Sequence, residues 1–439
     1  MSPPAAAGDP LPLDGRVVVI GAGLAGLRAA EALRAGGFSG SLELVGDEPH
    51  PPYDRPPLSK QVLAGTWPPE RTTLVDGARL AELGIHHEPG RAAARLDAEA
   101  RRVELEDGAV MEADGIVVAT GARPRSLPGA GAGEQLVLRT LEDAAILRAR
   151  VEGSAGAHVV VVGAGFIGSE VAATCKGLGC SVTVLEVART PLVAALGEEV
   201  GAACASMHER NGVELRTGAA VVALTPLGPS GVAGPPAGEP PAGDGPAAGG
   251  SAGAPTQVEL ADGSSVRADV VVVGIGVVPT TGWLAGSGLT LDNGVVCDHA
   301  LFAADGVVAA GDVARWSWRH DGREELVRIE HWQVAADAGA AAAAALLHGR
   351  AAAADFDPVP YFWSDQYGLK VQMVGHPGPT DEVEVVDGTL ADERFVALYG
   401  RAGRLTGAVG IGRPRQLMAY RPLLVAGATW EEALRVHRG

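Results

Sequence analysis

Short segments made largely of apolar residues indicate buried strands at several places along the chain. These runs lie at residues 16–20, 115–118, 158–162, 268–275 and 307–310. A strand that is covered on both faces, as in a parallel sheet, carries apolar residues at successive positions. Ala-rich stretches follow the runs at 16–20 and 158–162, and residues 333–347 predict a further helix. The sequence therefore predicts an α/β fold with parallel sheets.

A different pattern begins after Arg350. An aromatic stretch opens at residues 361–363, residues 370–374 then largely alternate between polar and apolar side chains, and residues 395–399 form a further predicted strand. Alternation of period two is typical of strands with one solvated face. We therefore expect a smaller α+β domain at residues 350–439.

Two of the apolar runs end in the same glycine pattern. Gly21, Gly23 and Gly26 follow the first run, and the second copy has the same spacing. In this pattern the first glycine permits a tight turn, the second lets backbone approach a pyrophosphate, and the third allows close helix packing. The phosphates lie at the helix N-terminus, where backbone N–H groups are free. The second copy consists of Gly163, Gly165 and Gly168.

An acidic residue ends the next predicted strand in each copy. Asp47 and Glu48 follow the first copy, and Glu186 follows the second. A carboxylate roughly 20 residues beyond the glycines accepts hydrogen bonds from ribose hydroxyl groups. Two complete copies predict two bound dinucleotides. If the second copy binds a nicotinamide dinucleotide, Glu186 favours NADH over NADPH because it would repel a 2′-phosphate, although Arg189 three residues later leaves NADPH open.

Two segments have compositions that do not favour order. Residues 1–13 are rich in Pro and Ala, and residues 226–255 are almost entirely Gly, Ala, Pro and Ser. Such segments bury too little apolar surface to fold. We expect a disordered leader and a disordered insertion at the tip of a hairpin, because residues 221–224 and 258–260 look like partner strands.

Composition excludes several classes of protein. The 439 residues carry a formal net charge of −18, which argues against a nucleic-acid partner. No apolar run is long enough to span a membrane, and the first 15 residues lack a signal-peptide pattern, so we expect a cytoplasmic protein. The histidines and cysteines show no zinc-ligand spacing, and no metal is predicted.

The four cysteines are interpreted as structural. Cys175 and Cys180 have a C-x4-C spacing, but both lie after the second glycine pattern. A disulfide coupled to a flavin is expected after the first, where residues 55–60 read Arg-Pro-Pro-Leu-Ser-Lys. We therefore expect Cys175 and Cys180 to be small buried apolar residues.

The order of these motifs resembles the FAD-dependent pyridine nucleotide oxidoreductases, and within them the ferredoxin reductases of putidaredoxin-reductase type. The resemblance covers residues 16 to 439 except the insertion. Its motifs are the paired glycine patterns, Arg55–Lys60, Ala119-Thr120-Gly121, Leu138–Asp143, Gly311-Asp312 and Phe362–Gln366. The missing cysteine pair and the Trp-Ser-Asp-Gln element distinguish this type from its relatives.

The resemblance implies a nested arrangement of domains. Two Rossmann-like dinucleotide-binding domains would be present, with the NAD domain inserted in the FAD domain and a smaller C-terminal α+β domain following. The implied ranges are 14–122 and 271–349 for FAD, 123–270 for NAD and 350–439 for the C-terminal domain.

The resemblance also implies site residues. Lys60 would lie against the flavin ring and Glu170 beside the nicotinamide, where it could pair with Lys60; these two are the catalytic candidates. Asp312 would contact the FAD ribitol or phosphate region, and Asp47 or Glu48 would hold the FAD ribose. The remaining expected contacts are Leu24, Ala25, Arg55, Ala93, Thr120, Gly121, Arg139, Gly311 and Trp332 for FAD, with Phe166, Ile167 and Gly276 for the nicotinamide nucleotide.

The implied function is electron transfer from NADH through FAD to a small iron–sulfur protein. The partner would be an acidic 2Fe–2S or similar ferredoxin that serves a cytochrome P450 or a Rieske-type oxygenase, and the reductase would be a monomer or weak homodimer. Arginines of the C-terminal domain offer a docking surface: Arg401, Arg404, Arg413, Arg415 and Arg421. Trp363 could shield the flavin or be a core residue. A flavoprotein that reduces a quinone, oxygen or peroxide, and a redox-sensing interaction protein, remain alternatives.

Overall fold

The structure of the protein is a computed structural model. It describes residues 9–129, 131, 133–153, 156–228, 254–320 and 323–438. No helix among these residues is long and apolar enough to cross a membrane. Their α-helices, in chain order, are α1 (Leu24–Ala35), α2 (Gly77–Glu82), α3 (Leu141–Glu152), α4 (Phe166–Gly177), α5 (Val193–Arg210), α6 (Trp332–His348), α7 (Pro414–Met418), α8 (Arg421–Val425) and α9 (Trp430–Arg438).

The strands of the first half of the chain include both glycine-pattern units. They are β1 (Arg16–Ile20), β2 (Ser41–Val45), β3 (His86–Glu88), β4 (Ala93–Asp97), β5 (Arg102–Leu105), β6 (Val110–Glu112), β7 (Gly115–Val118), β8 (Ala122–Pro124), β9 (His158–Val162), β10 (Ser181–Glu186), β11 (Glu214–Thr217) and β12 (Val221–Pro226).

The strands of the second half end in the C-terminal sheet. They are β13 (Thr256–Leu260), β14 (Ser265–Ala268), β15 (Val270–Val273), β16 (Val277–Pro279), β17 (Val295–Cys297), β18 (Phe302–Ala304), β19 (Val307–Ala309), β20 (Ala314–His320), β21 (Arg323–Val327), β22 (Tyr361–Gln366), β23 (Leu369–Gly375), β24 (Glu382–Thr389), β25 (Arg394–Arg401) and β26 (Arg404–Ile411).

The described residues form two compact units. The first unit comprises the chain up to Asp54, Thr72–Arg123 and Val278–Phe362, and the second comprises Arg55–Arg71, Pro124–Val277 and the chain from Trp363 onward. Residues 55–71 thus belong to the second unit, although they follow β2 of the first. The domain ranges expected from the sequence stay a prediction.

The first unit is built on a six-stranded sheet in the order β18-β19-β7-β1-β2-β3. Its central strands β7, β1 and β2 are parallel, as their apolar runs predict. Helices α1 and α6 pack closely together: a Cβ at Gly339 would lie 2.2 Å from the carbonyl oxygen of Ala25. The small residues of α6 therefore let it approach the backbone of the first glycine loop.

The end of the expected leader belongs to this core. Leu11 is buried, and its N–H donates to the carbonyl of Leu346 at 3.0 Å. Residues 9–13 therefore pack on the unit because one apolar side chain reaches α6. Residues 1–8 lie outside the described residues.

The second unit contains three sheets. A parallel sheet in the order β11-β10-β9-β15 carries the second glycine loop, and a five-stranded sheet in the order β22-β23-β26-β25-β24 forms the C-terminal part. The third sheet contains the predicted hairpin, in which Leu224 of β12 pairs with Val258 of β13. The hairpin pairing reaches Pro226 and Thr256. Most of the expected insertion, residues 229–253, lies outside the described residues.

A buried histidine connects three elements of the second unit. His208 of α5 is fully buried, with Nδ1 2.6 Å from the hydroxyl of Tyr367 and Nε2 3.3 Å from the hydroxyl of Ser169. Burial lowers the pKa of His208 to about 4. The imidazole is therefore neutral in the folded protein near pH 7.

We predict that this histidine makes stability fall in mild acid. Because burial holds the folded pKa below 6.5, the usual value for an exposed histidine, the unfolded chain binds the proton first. Stability present above pH 6.5 is therefore lost as the pH falls towards 4. The loss approaches about 3 kcal/mol. Urea unfolding at several pH values measures it.

The matched variants are His208→Gln and His86→Gln, since His86 is largely exposed. Replacement of His208 should flatten the pH dependence, whereas replacement of His86 should retain most of it. Equal slopes for wild type and His208→Gln would contradict the prediction.

Candidate functional site: two nucleotide loops and a buried ion pair

The first glycine loop makes the turn that its sequence predicts. Gly21 has φ of 111°, and a Cβ at Gly26 would lie 1.9 Å from the carbonyl oxygen of Gly21. Among the described residues, no side chain caps the N-terminus of α1, and no atom lies within 4 Å of the place that a Cβ of Gly23 would take. The free N–H groups and the missing side chains fit a phosphate. Leu24 and Ala25 are in the first turn of this helix.

The second loop repeats this geometry in its own sheet. Gly163 has φ of 100°, and a Cβ at Gly168 would lie 2.1 Å from the carbonyl oxygen of Gly163. Gly165 is the N-cap of α4, again without a capping side chain. Phe166 and Ile167 open the helix, and Ile167 is half exposed.

The predicted acids occupy different surroundings. Glu186 lies at its glycine loop: one carboxylate oxygen accepts from the N–H of Ala164 at 2.7 Å and the other from Ala188 at 2.8 Å. A carboxylate oxygen has lone pairs for a further donor, so ribose hydroxyls can still bind. In the first unit, Glu48 accepts a hydrogen bond from the hydroxyl of Tyr53, and Asp47 is exposed.

Lys60 and Glu170 form an ion pair in the second unit. The Lys60 ammonium lies 2.7 Å from Oε2 of Glu170, and the two side chains are 12% and 3% exposed. Lys60 lies in a short π-helix, residues 58–62, and Glu170 in the first two turns of α4. This ion pair, which the family resemblance implied, joins residues 110 positions apart in the chain.

Glu170 also accepts three hydrogen bonds that the sequence reasoning missed. Oε2 accepts from the hydroxyl of Ser59 at 2.5 Å, while Oε1 accepts from the hydroxyl of Ser364 at 2.8 Å and the N–H of Asp365 at 3.2 Å. Four donors and no acceptor suit an ionised carboxylate. The sequence signal for these contacts is the Trp-Ser-Asp-Gln element, because its serine can donate to a buried acid. Nothing in its spacing identifies Glu170 as that acid.

Further residues expected to contact FAD have hydrogen-bond or packing partners within their own unit. In the first unit, Gly311 with φ of 74° approaches Ala25, Asp312 follows it, and Trp332 donates to Asp54 at 2.6 Å. In the second, Arg55 donates to the carbonyl of Arg139 at 2.6 Å.

The remaining predicted residues lie at strand ends and turns. The hydroxyl of Thr120 donates to the carbonyl of Thr280 at 2.9 Å, and the carbonyl of Gly121 accepts from the N–H of Thr280. Ala93 begins β4, and Gly276 has φ of 93° and accepts from the N–H of Arg125. These hydrogen bonds show where the residues lie in the fold. That the same residues contact a cofactor stays a prediction.

The cysteines are free and buried, as expected. Burial raises the pKa of Cys175, to about 12, with a smaller contribution from Cys180. Burial likewise raises the pKa of Cys204 to about 12. Thiols of such high pKa are poor nucleophiles near neutral pH.

Three side chains on the edge of the first sheet form a polar cluster. Nδ1 of His86 lies 2.6 Å from Glu43 and 3.1 Å from Glu88. Arg91 also binds Glu88, at 2.8 Å. The positive charge of Arg91 disfavours the binding of a metal cation to these side chains. We therefore interpret the cluster as an ion-pair network.

Three of the five C-terminal arginines bind groups of their own unit. Arg401 is paired with Asp381 at 2.6 Å, Arg413 with Asp387 at 2.8 Å, and Arg404 donates to the carbonyl of Gly427. Arg415 is exposed and is in no ion pair among the described residues. The proposed docking surface is therefore less available than the sequence suggests.

The chain matches two family models. The pyridine nucleotide-disulphide oxidoreductase model matches residues 15–339, and the reductase C-terminal model matches residues 361–436. The match to the first covers most of the chain.

Curated relatives resemble the chain over nearly its whole length. Rhodocoxin reductase of Rhodococcus erythropolis is 37% identical over 93% of this chain and 89% of its own. The ferredoxin–NAD(+) reductase component of the anthranilate 1,2-dioxygenase system of Burkholderia cepacia is 38% identical over 94% of each chain. Putidaredoxin reductase of Pseudomonas putida is 34% identical over 91% of this chain and 89% of its own.

A solved structure agrees with this result. Putidaredoxin reductase in its covalent complex with putidaredoxin aligns with a TM-score of 0.82 and 31% identity, over 94% of this chain and 93% of that one. The two glycine loops, the buried Lys60–Glu170 pair and these matches lead to one conclusion: the chain belongs to the pyridine nucleotide-disulphide oxidoreductase family, in the branch of the ferredoxin reductases.

Proposed function

We propose that the protein is an NADH-dependent flavoprotein reductase that passes electrons through FAD to a small iron–sulfur ferredoxin serving a cytochrome P450 or Rieske-type oxygenase. The observation that carries this proposal is the pair of uncapped glycine-loop helices, one in each compact unit. One loop would hold each dinucleotide. The similarity to a ferredoxin–NAD(+) reductase component and to putidaredoxin reductase supports the choice of ferredoxin as the electron acceptor.

The residues of the chain supply binding and orientation. Bound FAD would provide the redox chemistry, accepting a hydride and releasing electrons singly. The first loop would bind the FAD pyrophosphate, and the second loop with Glu186 would bind that of NADH and its ribose. Lys60 would place a positive charge at the flavin, and the buried carboxylate of Glu170 keeps its ammonium in a defined position.

The buried thiols support this proposal against a peroxide-reducing enzyme. A thiol-dependent peroxide reductase needs a nucleophilic cysteine, whereas the thiols of Cys175 and Cys204 have a pKa near 12. Free cysteines and NADH as the electron source also fit the cytoplasm, which we propose as the location. We further propose a monomer or weak homodimer.

Turnover with a ferredoxin tests the proposal. NADH oxidation by the FAD-loaded protein should accelerate roughly tenfold or more when a 2Fe–2S ferredoxin and cytochrome c as final acceptor are added. NADPH should support slower turnover, because Glu186 repels the 2′-phosphate. The rate is measured by stopped-flow and steady-state absorbance.

Ferricyanide, quinones and peroxide serve as comparison acceptors. Turnover with peroxide or quinone that exceeds every ferredoxin tried would contradict the proposal. Negligible turnover with all acceptors, despite tight binding of both nucleotides, would favour the redox-sensing alternative.

Alanine at the third glycine of each loop should separate the two nucleotide sites. Gly26→Ala forces a Cβ against the carbonyl of Gly21 and should reduce bound FAD, measured by flavin absorbance per protein. Gly168→Ala does the same at Gly163 and should raise KM for NADH by roughly tenfold or more while FAD stays bound.

Helix glycines with free space provide matched controls. A Cβ at Gly77 or Gly177 meets no atom within 4 Å, so Gly77→Ala and Gly177→Ala should behave as wild type. Loss of FAD from Gly168→Ala with retained FAD in Gly26→Ala would reverse the assignment of the loops.

An acidic ferredoxin partner predicts a salt-sensitive role for Arg415. Arg415→Gln should raise KM for the ferredoxin roughly threefold at low ionic strength and have little effect at 0.5 M salt, because exposed charges are then screened. Ferredoxin titrations at two salt concentrations measure this change.

Arg216→Gln is the control, since Arg216 is paired with Glu214 on β11. An unchanged KM and salt dependence in Arg415→Gln would exclude docking at this residue.

A further inference from the structure

We propose that Ser364, Tyr367 and His208 are positioning residues, which together hold the carboxylate of Glu170 against Lys60. The role of Lys60 in electron transfer rests on the proposed function, but the contacts of Glu170 do not. The proposal assigns a task to the Ser-Asp-Gln segment, residues 364–366, and to the buried histidine that the electron-transfer scheme leaves unused.

The two carboxylate oxygens of Glu170 contact two different segments, one that precedes Glu170 in the chain and one that follows it. Oε2 faces Ser59 and Lys60 of the π-helical segment, and Oε1 faces Ser364 and Asp365 of β22. Ser364 is fully buried and Glu170 is 3% exposed, so solvent offers no replacement donor. Without the Ser364 hydroxyl, Oε1 would keep only the Asp365 N–H at 3.2 Å, and the carboxylate could rotate away from Lys60.

The helix that carries Glu170 also holds the other side of the pair. The hydroxyl of Thr174, four residues after Glu170 on the same face of α4, donates to the carbonyl of Ser59 at 2.7 Å. Helix α4 therefore contacts the segment of Lys60 at two successive turns. These contacts hold residues 58–62 in place. The remaining freedom is rotation of the Glu170 carboxylate, which the hydrogen bond from Ser364 restricts.

His208 closes a ring of contacts around this carboxylate. One ring nitrogen contacts the hydroxyl of Ser169, which precedes Glu170, and the other contacts Tyr367, three residues after Ser364. Tyr367 has φ of 51°, an uncommon left-handed conformation for a non-glycine residue. The histidine thus ties the turn after β22 to the start of α4, which fixes the distance between Ser364 and Glu170.

A neighbouring amide strengthens this segment. The amide nitrogen of the fully buried Gln366 donates to the Ser364 hydroxyl at 3.1 Å. The hydroxyl then has its own donor and is free to donate to Glu170. Ser364 is therefore oriented as a donor towards the carboxylate.

Chemical labelling of lysine tests the proposal without enzyme turnover. The chain has three lysines, at 60, 176 and 370, so an amine-reactive ester and mass spectrometry can follow each one in the FAD-loaded, full-length protein. Lys176 serves as the internal reference. Glu170→Gln, which removes the charge of the partner, should raise the labelling rate of Lys60 most.

Ser364→Ala should raise the Lys60 labelling rate roughly fivefold relative to Lys176, since a hydrogen bond to a charged group is lost. Tyr367→Phe should raise it by a smaller factor, because the hydroxyl that meets His208 is removed while the Ser364 contact remains. Ser364→Thr keeps a hydroxyl and should restore slow labelling. Ser206→Ala, which removes an exposed hydroxyl bonded to the carbonyl of Ala202, should match wild type.

Thermal unfolding of each variant checks that it is folded at the labelling temperature. Wild-type labelling of Lys60 in a folded Ser364→Ala variant would overturn the role of Ser364, and the same result in Tyr367→Phe would overturn the role of the His208 contact. Unchanged labelling in Glu170→Gln would overturn the whole proposal. A protein that shows the predicted labelling but no ferredoxin-dependent turnover would instead contradict the proposed function.

Discussion

The close approach of backbone to backbone at the glycine loops is the constraint on which the rest of the structure depends. A Cβ at Gly26 would lie 1.9 Å from the carbonyl oxygen of Gly21, and a Cβ at Gly168 would lie 2.1 Å from that of Gly163, which is far inside van der Waals contact. Only glycine fits there, and the tight fit brings each helix N-terminus directly over the end of its strand. Parallel sheets, helix packing and the free N–H groups for phosphate all follow from that contact.

The elements whose signal is local could be predicted from the sequence. The strands at 16–20 and 158–162 and the two glycine loops have signals within a few residues, and the structure contains each of them. The β12–β13 hairpin was predicted from two strand patterns on either side of the insertion, and these two strands pair. The predicted family and the α/β fold are confirmed by the family models and by the structural match. Glu186 lies beside its loop because the spacing from glycines to acid follows from one βαβ unit, and its contact with a ribose stays a prediction.

What the sequence could not supply were contacts between distant segments. Ser364 reaches Glu170 across 194 positions, and His208 reaches Tyr367 across 159. Side-chain hydrogen bonds of this kind have no periodicity. The C-terminal arginines are a second example of contacts that the sequence does not show. Their charges suggest a docking surface, whereas two of them are paired with Asp381 and Asp387. Leu11 is one buried apolar residue in a Pro/Ala-rich segment. The composition of the whole segment does not reveal that this single side chain is buried.

The interrupted first unit has a consequence for how the protein folds as it is made. Its sheet needs β19 beside β7, and its first glycine loop needs Gly339 of α6 beside Ala25. Both partners follow the whole of residues 124–277 in the chain. Domains fold as they emerge from the ribosome. The parallel sheet of the second unit, β9 to β15, is thus synthesised in full before the first unit can close, and the earliest-made loop is among the last to reach its final surroundings.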